Sequence, residues 1–125
     1  MKSEIRRLPD SELEIMQVLW NLSCPASRSA VETAVKEIHP MAQTTQLTLF
    51  SRLADKGFIA VEKVGRSSSY TPIIKKRDYL AAQSERFIDQ LCGGSISTLA
   101  TALCDSKLSK EELQELRRLL EANEL

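Results

Sequence analysis

Apolar positions recur at helical spacing in three successive stretches near the start of the chain. Leu13, Met16, Leu19 and Trp20 share one face of the first, and Ser11 with Glu14 has the spacing of a capping box at its start. In the second, Ala30, Val31, Ala34, Val35 and Ile38 form an apolar face, with Ser27 as the candidate cap and Pro40 as the stop. The third spans residues 44–57. Placed at ~100° per residue, Leu49, Phe50, Leu53 and Ala54 fall on one side. Thr44, Thr45, Thr48, Ser51, Arg52 and Asp55 gather on the other, and Gly57 supplies a left-handed cap. Residues 58–72 then read as two strands around a basic Gly65-Arg66-Ser67 turn.

Beyond Pro72 the pattern returns to helices. Residues 78–91 carry Tyr79, Leu80, Phe87, Ile88 and Leu91 among charges and stop at Gly93-Gly94. A short, almost uncharged segment over 96–104 contains Leu99 and Leu103. Ser109 and Glu112 form a second capping box ahead of Leu113, Leu116, Leu119 and Leu120. These three helices have no obvious core of their own, so two copies packing together is the economical arrangement. The expected fold is mainly α with a small β-hairpin: a winged helix-turn-helix domain over 1–75 and a helical dimerisation segment over 76–125.

A helix with a short polar face followed by a basic hairpin suits DNA. Threonine hydroxyls bond phosphates or bases, threonine methyls pack on thymine methyls, and arginine grips guanine or a phosphate. A merely solvated face would more often carry Lys and Glu. Seventeen Lys and Arg balance seventeen Asp and Glu over 125 residues, which is not the footprint of a protein that coats nucleic acid indiscriminately. Residues 1–75 hold ten basic against eight acidic side chains, and 76–125 hold seven against nine, which permits a local basic wing.

Other chemistry is poorly supplied. The chain has one histidine, His39, and three widely spaced cysteines, Cys24, Cys92 and Cys104, without the paired spacing of a metal site or the even count of a disulfide framework. No nucleophile has a nearby base and no glycine loop suits a phosphate, so neither an enzyme nor a bound metal or cofactor is expected. No apolar run reaches the ~18 residues of a membrane span, and Met1-Lys2-Ser3-Glu4 lacks the apolar run of a secretory signal; a cytoplasmic location is the expectation. Trp20 and Tyr70 are expected in the core, and Cys92 and Cys104 as small fillers of a dimer interface.

Five motifs in order resemble the BlaI/MecI repressors of bacterial β-lactam resistance, whose copper-responsive relatives share the fold. They are Leu13-x-x-Met16-x-x-Leu19-Trp20; Thr45-x-x-Thr48-x-x-x-Arg52-Leu53-x-x-Lys56-Gly57; Gly65-Arg66-x-x-x-Tyr70; Phe87-x-x-x-Leu91-x-Gly93-Gly94-Ser95; and Leu108-Ser109-x-Glu111-Glu112-Leu113-x-x-Leu116. The resemblance implies a homodimeric repressor with its third helix in the major groove of a palindromic double-stranded DNA operator. Thr45, Thr48 and Arg52 would sit where the family meets DNA, and Lys63 and Arg66 would suit backbone contacts from the wing.

It also implies dimerisation through Tyr79, Leu80, Phe87, Ile88, Leu91, Leu99, Leu103, Leu113, Leu116 and Leu120. Relief of repression would follow cutting by a membrane-bound sensor protease. Here Ala102-Leu103 stands where the β-lactam branch has its Asn-Phe cleavage bond. The paired Cys-x-Cys motifs of the copper branch are missing, which disfavours copper release from DNA and leaves a metal- or redox-responsive repressor as an alternative. Ala42 and Thr44 replace the family's usual Ser cap and Lys, and Gln46 replaces an aliphatic residue. A winged-helix protein-interaction module remains the alternative from a different class, motivated by the zero net charge and the missing Lys.

Overall fold

Proline at position 9 opens the first helix, α1 (Asp10–Asn21), because its ring fixes a helix-compatible φ and the backbone donor it lacks would have gone unused. The computed structural model describes residues 5–123, so the Met1-Lys2-Ser3-Glu4 start lies outside the described residues. Ser11 is inside α1 and no side chain caps it, which corrects the expected Ser11–Glu14 capping box. A two-residue strand, β1 (Ala26–Ser27), follows.

Ser27 then caps α2 (Arg28–Ile38), its hydroxyl accepting from the Ala30 backbone N–H at 3.1 Å. Helix α3 (Gln43–Asp55) begins at Ala42 with no side-chain cap. It ends in a left-handed turn at Gly57, φ 80°. There the Phe58 N–H reaches the Leu53 carbonyl at 2.9 Å and the Gly57 N–H reaches Ala54 at 3.0 Å. This pair of bonds satisfies the carbonyls that a helix end leaves open and turns the chain directly into the sheet.

Strands β2 (Ile59–Val64) and β3 (Ser67–Pro72) pair antiparallel, with Val61 opposite Tyr70 and Val64 opposite Ser67. Gly65 takes the first central position of the two-residue turn at φ 64°, a conformation that favours glycine. The sheet order is β1-β3-β2, with Ala26 opposite Tyr70. Strand β1 was not foreseen: two residues are too short for alternation to register.

The chain divides into two compact units, one reaching Ala82 and the other starting at Gln83. The boundary falls inside α4 (Lys76–Gln90), whereas the sequence pattern set it at 75/76. The reason is Tyr79. Its ring lies 5.7 Å from Trp20 and 5.9 Å from Phe58, and its hydroxyl accepts the Leu8 backbone N–H at 2.8 Å. Tyr79 therefore belongs to the core of the first unit, a correction to its expected place among the dimerisation residues. A large aromatic with one polar tip is spent here on fastening the start of α4 to the winged-helix core.

That core is built from Ile15, Met16 and Leu19 of α1, Val31 and Val35 of α2, Leu49, Phe50 and Leu53 of α3, and Phe58, Ile59 and Tyr70 of the sheet. Trp20 packs against it and donates its indole N–H to the Ile74 carbonyl at 3.0 Å. Tyr70 stacks on Phe50 with centroids 4.4 Å apart, which ties the hairpin to α3. One charge is buried with them. Glu12 is closed off from solvent and accepts from Lys56 Nζ at 2.5 Å.

The second unit contains the end of α4, α5 (Ile96–Asp105) and α6 (Lys110–Ala122). Ser95 caps α5, and Ser109 with Glu112 forms the reciprocal capping box of α6. Neither α5 nor α6 buries a single residue, and Phe87, Leu91, Ile96, Leu119 and Leu120 are exposed. Cys92, expected at a dimer interface, is already buried within the single chain, whereas Cys104 is exposed. Among the described residues no helix is long and apolar enough to cross a membrane.

Candidate nucleic-acid interface

Burial of Leu49, Phe50 and Leu53 sets the rotation of α3, and that rotation leaves Thr44, Thr45, Thr48, Ser51 and Arg52 exposed. Arg52 is the single cation of this face and makes no ion pair among the described residues, so its guanidinium is available. The Thr48 hydroxyl donates back to the Thr44 carbonyl at 3.0 Å. Lys63 and Arg66 are exposed on the hairpin, one on β2 and one at its tip, and both are likewise without an ion pair.

A groove of about 580 Å³ lies between the start of α2, the start of α3 and the wing tip. Arg28, Ser29, Glu32, Gln43, Arg66 and Ser67 line it, so the structure brings Arg66 beside the N-terminal end of α2. Arg28 is held by Glu32 at 2.9 Å, and Gln43 reaches the same carboxylate at 3.5 Å. Sequence reasoning passed over Arg28, Ser29, Gln43 and the exposed Leu47. The one available signal was a cation and two hydroxyls at a capped helix start, where backbone N–H groups already favour an anion.

Gln46 is buried at 4 % exposure, as its place on the apolar side of α3 implies. Its amide N–H₂ donates to the Met41 carbonyl at 3.2 Å, while its Oε1 has no partner. Among the described residues no group of three or more His, Cys, Asp or Glu could hold a metal ion. Slight burial raises the Cys24 thiol above its ordinary value, with a hydrogen bond at Ala26 opposing the shift, so at neutral pH it stays protonated and a poor nucleophile.

The penicillinase repressor family matches residues 8–122, nearly the whole chain. The chain belongs to the penicillinase repressor family. The chain is 31 % identical over 119 residues to the penicillinase repressor of Bacillus licheniformis, covering 94 % of this chain and 92 % of that protein. It is 25 % identical to the methicillin resistance regulatory protein MecI of Staphylococcus aureus, covering 96 % and 98 %.

Two solved structures are also similar, each at 33 % identity over 60 % of this chain and 90 % of the other. The DNA-binding domain of the repressor BlaI has a TM-score of 0.53, and monomeric Bacillus licheniformis BlaI in complex with the blaP half-operator has 0.51. These matches establish the winged-helix fold and a regulator of repressor type rather than an enzyme.

Proposed function

We propose that this chain represses transcription by binding a palindromic double-stranded DNA operator as a homodimer in the cytoplasm. Helix α3 enters the major groove, with Thr44, Thr45, Thr48, Ser51 and Arg52 towards the bases and the nearest phosphates. Lys63 and Arg66 hold the backbone from the wing. The observation that carries the reading is the exposed Thr/Ser/Arg face of α3 together with a wing whose two cations have no ion pair among the described residues. It is supported by the likeness to a repressor solved on its half-operator.

A second copy supplies what the second unit lacks. Two helices with no buried residue and with Ile96, Leu119 and Leu120 exposed cannot recover the entropy of their own ordering, and pairing removes that surface from water. Leu80, Phe87, Ile88, Leu91, Leu99, Leu103, Leu113, Leu116 and Leu120 provide the apolar side chains. Half-sites would then lie one or more helical turns apart, in steps of ~34 Å.

Relief of repression is proposed to follow cutting at Ala102-Leu103 by a membrane-bound sensor protease. That bond lies within α5, so the helix must open locally before a protease can bind it. Footprinting on DNA upstream of its own gene tests the reading, with a salt titration alongside. Two protected half-sites and an affinity that falls steeply with salt are expected. Binding that ignores salt and sequence would favour a protein-interaction module instead. Mass spectrometry of the protein after β-lactam exposure tests the cut.

A further inference from the structure

The recognition face of α3 presents methyl groups beside its hydrogen-bond donors. Leu47 is 42 % exposed at its edge, within one helical turn of Thr44, Thr48 and Ser51. It stands outside the buried core cluster that holds Leu49, Phe50 and Leu53 of the same helix. The Thr48 hydroxyl proton is used inside the helix, on the Thr44 carbonyl at 3.0 Å. What Thr48 offers a base is therefore its methyl and an oxygen that only accepts. Arg52 is the single charged donor on this part of the helix before Asp55. A face of this composition can read apolar groups on the bases as well as donate hydrogen bonds to them.

We propose that Leu47, seconded by the Thr48 methyl, reads the C5-methyl group of a thymine in the operator half-site. Thymine is the one base that displays an apolar group in the major groove, and burying a methyl against an aliphatic side chain favours it over cytosine without any hydrogen bond. Leu47 thus acts as a specificity-determining residue, and the preferred half-site carries thymine where Leu47 lies. The inference rests on the DNA-binding reading above.

The test uses the full chain. A random duplex pool is selected on the protein, and the enriched duplex is resynthesised with each thymine in turn, in both half-sites, replaced by deoxyuridine. Uracil pairs as thymine does but lacks the methyl. One thymine position is expected at which uracil weakens wild-type binding roughly three- to five-fold per half-site, the worth of about one buried methyl. Leu47→Ala should bind the thymine duplex more weakly by a similar factor and no longer distinguish the two duplexes at that position. Leu47→Met should still distinguish them.

Wild-type protein indifferent to uracil at every position would overturn the inference, as would Leu47→Ala losing the same factor again on the uracil duplex. A pool that never enriches, with binding insensitive to salt, would remove DNA recognition itself and this inference with it. An enriched pool that is blind to the methyl removes the inference alone. Circular dichroism melting of Leu47→Ala, whose side chain is exposed, should match wild type.

Discussion

Arg52 and Gln46 are six residues apart on one helix and illustrate two ways a polar side chain is used. Arg52 is exposed and has no ion pair among the described residues, which leaves it for a guanine or a phosphate; Arg52→Ala should weaken operator binding by about 1 to 3 kcal/mol if it reads a base. A gel-shift titration measures this, and unchanged affinity would remove Arg52 from the reading set. Gln46 is buried with its Oε1 unpartnered, which costs about 1 kcal/mol or more. Gln46→Leu removes that atom and fills the same apolar side of α3 but also deletes the donor to the Met41 carbonyl, so the two effects oppose each other and thermal melting should show a midpoint within a few degrees of wild type. Glu12 differs in being paired: its carboxylate is buried and depends on Lys56, whose side chain is 28 % exposed. Lys56→Met should cost about 2 kcal/mol, less than the ~3–5 kcal/mol of a fully buried pair because water reaches the ammonium. Adding Glu12→Gln should restore part of the loss, and urea denaturation of the four combinations measures the coupling.

At the scale of elements, each helix start reveals how much of its stability is local. Ser27, Ser95 and Ser109 cap α2, α5 and α6 through their hydroxyls, whereas α3 starts from Ala42 with no such bond. Like α1, helix α3 thus relies on tertiary support for its first turn, from the Gln46–Met41 hydrogen bond behind it and from Leu49 and Phe50 beneath. Ala42→Ser should raise global stability by roughly 0.5 to 1 kcal/mol and slow amide exchange in the first turn of α3. Chemical denaturation checks the first and hydrogen exchange the second. The capped helices and the glycine-ended α3 were legible because caps and left-handed glycines are local chemistry. The missing Ser11 cap shows the converse: two starting points were available, and Pro9 set the helix two residues earlier than the Ser-x-x-Glu spacing suggested.

Across the whole molecule the division of labour runs through α4. Its first turns carry Tyr79, anchored to Leu8, Trp20 and Phe58, while its later residues belong to the second unit. Cutting the chain after Arg77 would therefore remove a core aromatic, whereas ending it after Gln90 would spare the winged-helix core. Residues 1–90 should fold, sediment as a monomer and bind the operator much more weakly than the full chain. Residues 1–77 should be less stable by about 3 kcal/mol or more, the usual cost of emptying a large aromatic site. Sedimentation and thermal melting measure these outcomes, and a dimer formed by residues 1–90 would sink the assignment of pairing to the second unit.

The sequence alone determined the helical and strand segments, the left-handed turn at Gly57, the basic hairpin and the polar face of α3. Each of these is set by spacing or by one residue's backbone preference. Tertiary structure decided the rest: strand β1, which exists only by pairing with β3; the burial of Glu12 against Lys56, forty-four residues away; and the transfer of Tyr79 from the pairing surface to the core. It also left Leu47 exposed among threonines. Periodicity places a residue on a face, but only packing between distant segments decides what that face meets.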